Sequence, residues 1–289
     1  MERIILTDSC CDLPISYINN KKLAVINFSY TFKGKTYEDD FGYTVSHKDF
    51  YNAMRAGEMP TTAQINTYRY ESLFRSFLEK CDEIIYICFS SALSGSFMSA
   101  NSAKRNLLEE YPEASIEIID SRCASLGEGL LCRYVLELAE GGASSSEIVE
   151  WAERNKTRIN HFFTVKDLDH LKRGGRISGT AAAIGTMLNI NPMLTVCKGG
   201  GLKVIDKIRG RKKSLAALAE LFVERAEEPE NQTIAICHGD CEEDARYVEE
   251  LIRKHCNVRE VIINSMGPII GTHTGPGVVA LFFMGKERD

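Results

Sequence analysis

The sequence predicts an α/β fold in two domains, an N-terminal parallel-sheet βαβ domain and a C-terminal mixed-sheet α/β domain. Short apolar runs alternate with stretches of helical period. In the first half each apolar run gives way to a polar loop before the next helix, which is the pattern of βαβ units joined by crossovers. The chain has 289 residues, 44% hydrophobic and 26% charged, which is long enough for two domains of common size.

In chain order, residues 3–6 form a short strand that ends in Thr7-Asp8-Ser9. Residues 23–32 and 36–38 flank Lys33-Gly34-Lys35 and read as a hairpin, a small insertion near residues 23–40. Residues 47–56 are helical and stop at Gly57, before Pro60; residues 66–80 are an amphipathic helix. Residues 83–89 are a buried strand, followed by Ser90-Ser91-Ala92-Leu93-Ser94-Gly95-Ser96 and a helix to about residue 110. Residues 116–119 are a strand ending in Asp120-Ser121, and 129–140 a helix. The chain loosens at Gly141-Gly142-Ala143-Ser144-Ser145-Ser146 and re-enters a helix, which sets a domain boundary near 157: residues 1–157 and residues 158–289. The second domain starts helix-rich, with a small-residue helix over 179–187. A hairpin of residues 193–196 and 202–208 turns at Gly199-Gly200-Gly201. A helix at 212–226, a strand at 232–237, a helix at 242–255 and a strand at 259–264 complete it.

Composition excludes several function classes. The formal net charge of −5 gives no general attraction to nucleic acid or to anionic membranes. Nowhere do ~18 apolar residues run together, so no spanning helix is expected. The first residues hold no apolar stretch of secretory-signal length, and the expected compartment is the cytoplasm. The ten cysteines are scattered through apolar runs, as small hydrophobes of a reduced compartment are. Cys237-His238-Gly239-Asp240-Cys241 is the nearest approach to a metal motif, but it lacks four spaced ligands; no metal is expected.

Ligands of open parallel sheets sit beyond the carboxyl ends of the strands, over helix N-termini. Thr7-Asp8-Ser9, Ser90–Ser96 and Asp120-Ser121 would gather along that rim, with Ser94-Gly95-Ser96 at a helix start where N–H groups favour an anion. Hydroxyls without lysine suit a carboxylate better than a triphosphate, and neither GxxxxGK[ST] nor GxGxxG occurs there. Each serine would also serve as an ordinary helix cap. Ser94 at a strand-to-helix turn leaves a serine hydrolase open as an alternative, with His273 and Asp120 as partners, although the first glycine of a G-x-S-x-G elbow is missing. Gly271-Thr272-His273-Thr274-Gly275-Pro276-Gly277 reads as a tight turn, and Leu171-Lys172-Arg173-Gly174-Gly175-Arg176-Ile177-Ser178 as a cationic glycine turn.

Seven segments taken in order resemble the DegV family of bacterial lipid-binding proteins along nearly the whole chain. They are Thr7–Pro14, Pro60–Gln64, Ser90–Ser96, Asp120-Ser121 with Gly127, Leu171–Ser178, Leu188–Leu194 and Gly271–Gly277. The resemblance implies a fatty-acid tail buried between two α/β domains, and a carboxylate held by the second Thr of Pro-Thr-Thr and the inner Ser of Ser-Gly, here Thr62 and Ser94. It also implies service as the binding subunit of a fatty-acid kinase. That makes the protein non-catalytic in itself, with no cofactor beyond the lipid, and with a partner that resembles dihydroxyacetone kinase. Thr61, Ser96, Arg173, Arg176 and His273 are the further head-group or partner-facing candidates. The chain departs from the family at Ala63, where a hydroxyl is usual, and at Ser96, usually Thr. A ~16-carbon tail such as palmitate gains on the order of 12 kcal/mol gross, at ~0.8 kcal/mol per buried CH₂.

Overall fold

A computed structural model describes residues 3–21, 23–177 and 189–289; the small-residue helix expected over 179–187 lies outside them, as do Ser178 and Leu188 of the segments above. The first strands are β1 (Arg3–Asp8), β2 (Ala24–Ile26), β3 (Ser29–Phe32), β4 (Lys35–Glu38), β5 (Thr61–Ala63), β6 (Glu83–Cys88) and β7 (Ser115–Asp120). Then come β8 (Ile159–Thr164), β9 (Ile190–Val196), β10 (Leu202–Arg209), β11 (Thr233–His238), β12 (Glu260–Ser265) and β13 (Val279–Met284). The early helices are α1 (Ile15–Lys21), α2 (His47–Arg55), α3 (Thr67–Leu78), α4 (Ser96–Glu110), α5 (Leu126–Glu140) and α6 (Ser145–Asn155). The later ones are α7 (Asp169–Arg173), α8 (Arg211–Arg225), α9 (Glu242–His255) and α10 (Pro268–Thr274).

The fold is mixed α/β, as the sequence predicts. A parallel sheet runs β2-β1-β6-β7, and a six-stranded mixed sheet runs β10-β9-β8-β13-β11-β12. In the parallel sheet β6 is buried on both faces from Ile84 onward, which is why it reads as an unbroken apolar run rather than an alternation. A small antiparallel sheet, β4-β3-β5, hangs between β2 and β6. Its hairpin turns on Lys33 and Gly34, both at positive φ (49° and 72°), the mirror-image turn that suits the twist of the strands. Side chains cap the helices where the sequence supplies them: Ser144 and Glu147 close a reciprocal capping box on α6.

Several local expectations need correction. Residues 23–32 are two strands, β2 in the parallel sheet and β3 in the hairpin, parted at Asn27-Phe28. The stretch after residue 157 opens on β8, whose Asn160 and His161 disguise a fully buried strand. Residues 271–274, expected as the start of a tight turn over 271–277, instead end helix α10 (268–274); Pro at its first position is tolerated because that N–H would have no partner. Thr62, expected in a loop, lies on β5 opposite Tyr30.

One apolar core crosses both sheets, taking in Leu6, Ile85, Leu130, Phe163, Leu194 and Phe282; a second fills the far face of the mixed sheet under α8 and α9. Arg288 ties the halves from below. It is 4% exposed, and its guanidinium donates to the carbonyls of Arg122 at 2.9 Å, Lys156 at 3.0 Å and Thr157 at 3.3 Å. Arg288→Met keeps the buried stem but strands those carbonyls. We expect a loss of about 1–3 kcal/mol, read as a lower urea midpoint at unchanged slope.

Candidate functional site

The parallel and mixed sheets face one another across a cavity of about 740 Å³ including its open mouth. Its lining divides by chemistry. Thr62, Gln64, Ser94, Arg176 and His273 supply polar groups, while Phe28, Phe89, Leu93, Phe163, Ile269, Ile270 and Phe282 supply hydrocarbon.

Each polar side chain is delivered by a different element. Strand β5 presents Thr62, and the loop leaving β6 presents Ser94, 9% exposed, one residue before the N-cap of α4. Ser94 Oγ donates to Ser96 Oγ at 3.0 Å and accepts the Ser96 N–H at 3.2 Å. Ser96 in turn accepts the N–H of Ile65 at 3.1 Å, which fastens the segment after Thr62 to the start of α4. The last turn of α10 carries His273, whose Nε2 lies 2.8 Å from Thr62 Oγ1. The turn after α7 carries Arg176, whose Nε donates to Leu93 O at 3.0 Å and whose Nη1 donates to Gly174 O at 2.5 Å. Gly174 is dictated by space: a Cβ there would stand 2.0 Å from His273 Nδ1.

The imidazole of His273 is pushed down to about 4, first by burial and then by the charges of Arg176 and His170. At neutral pH the ring is therefore uncharged. At the opposite wall His161 is also buried and held well below its ordinary range. Its Nδ1 lies 2.8 Å from Ile159 O and its Nε2 accepts the Ala124 N–H at 3.2 Å, so a neutral ring with its proton on Nδ1 satisfies both nitrogens.

Of the residues expected from sequence, Thr62, Ser94, Arg176 and His273 line the cavity. Thr61, Ser96 and Arg173 do not: Ser96 is a buried brace, and Thr61 and Arg173 are exposed. The rim expected from Thr7-Asp8-Ser9 and Asp120-Ser121 is also absent from the lining. Thr7 donates to Glu128 at 2.9 Å, Ser9 accepts the Phe28 N–H at 3.1 Å, and Asp120 accepts the Ser91 hydroxyl at 2.6 Å. The hydrolase alternative gains no support, because Ser94, His273 and Asp120 belong to three separate hydrogen-bond sets. Cys237 and Cys241 do not converge either; the first thiol faces Asp12 and the second the Val278 carbonyl. Among the described residues no group of three or more His, Cys, Asp or Glu is arranged to hold a metal, and no helix is long and apolar enough to cross a membrane. The sequence reading missed Gln64 and His161, and with them the apolar wall. Gln64 stands over Gly95, where a Cβ would lie 2.1 Å from its Oε1, so the segments Pro60–Gln64 and Ser90–Ser96 meet here.

The low value for His273 makes a pH prediction with a definite sign. Unfolded, the ring would titrate near ~6.5. The unfolded state therefore binds more protons between that pH and about 4, and this contribution to stability falls as pH drops through the window. His273 should keep the nuclear-magnetic-resonance signature of a neutral ring down to about pH 5, and His273→Gln should flatten the acid limb of the stability curve.

Sequence and structure comparisons place these features in a known group. The profile described as "Uncharacterised protein, DegV family" matches residues 3–286. A DegV domain-containing protein of Clostridium perfringens is 43% identical over 286 residues, 99% of this chain and 98% of that one. A solved structure described as fatty acid binding of a DegV family protein, from Thermus thermophilus, superposes with a TM-score of 0.88 at 29% identity, covering 99% of this chain and 100% of that one. Another, described as DegV, a fatty acid binding protein from Bacillus subtilis, gives a TM-score of 0.83 at 30% identity, covering 99% and 100%. With the match running from the first strand to the last, this chain belongs to the DegV family.

Proposed function

We propose that the protein binds one long-chain fatty acid, palmitate or a similar acid, and presents its carboxylate to a partner kinase for acyl-phosphate formation. The observation that carries this is a largely apolar cavity into which Thr62, Gln64, Ser94, Arg176 and His273 bring polar groups. Relatives of the same fold are described as fatty-acid-binding proteins, which supports the ligand class. In this reading the division at residue 157 separates two domains, with the tail between them, and the protein works in the cytoplasm.

Thr62 donates to the carboxylate, and Ser94 does so once its hydroxyl proton turns from Ser96 Oγ to the anion. A neutral His273 with its proton on Nε2 donates to Thr62 Oγ1 and leaves the threonine proton free for the anion. Neutral donors and the start of α4 satisfy the charge without a matching buried cation. The tail supplies affinity and the head group supplies orientation. The protein itself performs no chemistry; the kinase, of dihydroxyacetone-kinase type, supplies ATP and the phosphoryl transfer.

Fatty acid should be extracted from the purified protein at near-equimolar amount. Thr62→Val and Ser94→Ala should each cost about 1–3 kcal/mol in affinity, and together less than the sum, because both act on one carboxylate. Titration calorimetry with palmitate and with its alcohol checks this: a carboxylate clamp predicts that the alcohol binds more weakly and discriminates less among the variants. Extraction that recovers no fatty acid, with no thermal shift on adding palmitate or oleate, overturns the proposal.

Arg173 is exposed on the rim and does not line the cavity, which suits a partner-facing role. Arg173→Ala should leave fatty-acid affinity within about twofold, because exposed charges contribute little to a buried site. It should lower acyl-phosphate formation in a coupled assay with the kinase. Equal turnover removes Arg173 from the partner surface.

A further inference from the structure

At the N-terminus of α10 two buried carboxyl groups approach the same glycine, Gly267. Asp12 sits in a left-handed turn after β1 (φ 51°), and Asp39 follows β4. Asp12 Oδ1 accepts the N–H of Gly267, the N-cap of α10, at 2.8 Å. A Cβ on Gly267 would stand 2.9 Å from that oxygen and 3.2 Å from Asp39 Oδ2, so both carboxyls crowd the same stretch of backbone. The other Asp12 oxygen accepts from Ser125 Oγ at 2.5 Å and from the Cys237 thiol at 3.8 Å. Asp39 Oδ2 is buried with no hydrogen-bond partner.

The groups facing the pair are Asp8 and Cys10 from β1 and the turn after it, Asp40 beside Asp39, Tyr51 on α2, Glu128 on α5 and Cys237 on β11. All are acidic or neutral. Among the described residues no Lys or Arg pairs with Asp8, Asp12, Asp39 or Glu128. Two neighbouring buried carboxyls without a cation do not both ionise.

We propose that Asp12 and Asp39 hold one proton between them, and that this proton latches α10, the helix that carries His273 and walls the acyl cavity. The inference rests on that cavity being the lipid site. Burial raises Asp12 to about 7 and holds Asp39 well above the carboxylate range. Because the folded values lie above the unfolded ~3.9, the native state binds the extra proton, and its stabilising effect is lost as pH rises through the folded values. The proton leaves to solvent, two like charges then flank Gly267, and the wall formed by Met266, Ile269 and Ile270 loses its seat.

Two measurements test this. Infrared titration of the lipid-free protein should show protonated-carboxyl intensity at pH 6, to which Asp8 and Glu128 also contribute, and the part that fades on mild alkalinity should be smaller in Asp39→Asn. Stopped-flow release of a fluorescent fatty acid should be roughly tenfold faster at pH 9 than at pH 6, the equivalent of one pKa unit of coupling, and level with pH in Asp39→Asn, whose amide stays neutral. Equal protonated-carboxyl intensity at pH 6 in wild type and Asp39→Asn overturns the shared proton, whether or not lipid binds. A band with parallel release profiles in wild type and variant overturns the latch. A protein that takes up no fatty acid at any pH fails the cavity reading instead, and the infrared arm still decides the proton. If Asp39→Asn does not fold, Asp12→Asn serves as the second variant.

Discussion

Helix α5 is the constraint on which the molecule depends, because it packs against β6 of the parallel sheet and against β8, β11 and β13 of the mixed one. A helix shared by two sheets has no solvent face to spare, and residues 126–132 are all buried. Close approach on both sides needs missing side chains. A Cβ on Gly127 would lie 2.0 Å from His161 Nε2, and one on Gly129 would lie 2.7 Å from the Cys11 carbonyl. Gly-Glu-Gly within a helix costs helix propensity, and the two-sided packing offsets it. Glu128 between them is buried, with one oxygen accepting from Thr7 and the other unpartnered, and burial pushes it well above the carboxylate range. The helix thus fixes the separation of the sheets, and that separation is the width of the cavity.

The polar end of the cavity is assembled rather than inherited from one loop. Thr62, Ser94, Arg176 and His273 come from four elements, and each is braced by a contact that has no part in holding a ligand. Ser96 holds the α4 start to Ile65, Arg176 holds its turn to the Leu93 carbonyl, and Gly174 lets the His273 ring lie flat against the α7 turn. The bracing matters because hydroxyls are weak anion ligands unless they are already oriented.

Long periodic elements were legible in the sequence. The helices at 47, 67, 96, 211 and 242, and the strands at 83, 115, 233 and 260, fall within a residue or two of expectation, because period and end signals agree there. What failed was local chemistry overridden by tertiary context. Pro268, Gly271 and Gly275 spell a turn, yet α10 packs against α2, α7 and β5 and stays helical. Asn160 and His161 break an apolar run, yet β8 is a central strand because both polar side chains find backbone partners. Thr62 and Ser94, singled out by their motifs, both line the cavity. That His273 would meet Thr62 across 211 positions was visible only in the folded chain.

The mixed sheet has an order with temporal meaning. Strand β13, residues 279–284, lies between β8 and β11, which precede it by more than forty residues. On the ribosome, β8 and β11 emerge with a gap between them, and no local pairing closes it. Ala280 and Phe282, which wall the cavity, are on that late strand. The nascent chain therefore exposes the apolar surface of its future binding site until one of the last segments arrives, which is the kind of long-range pairing that folds slowly and invites misassociation.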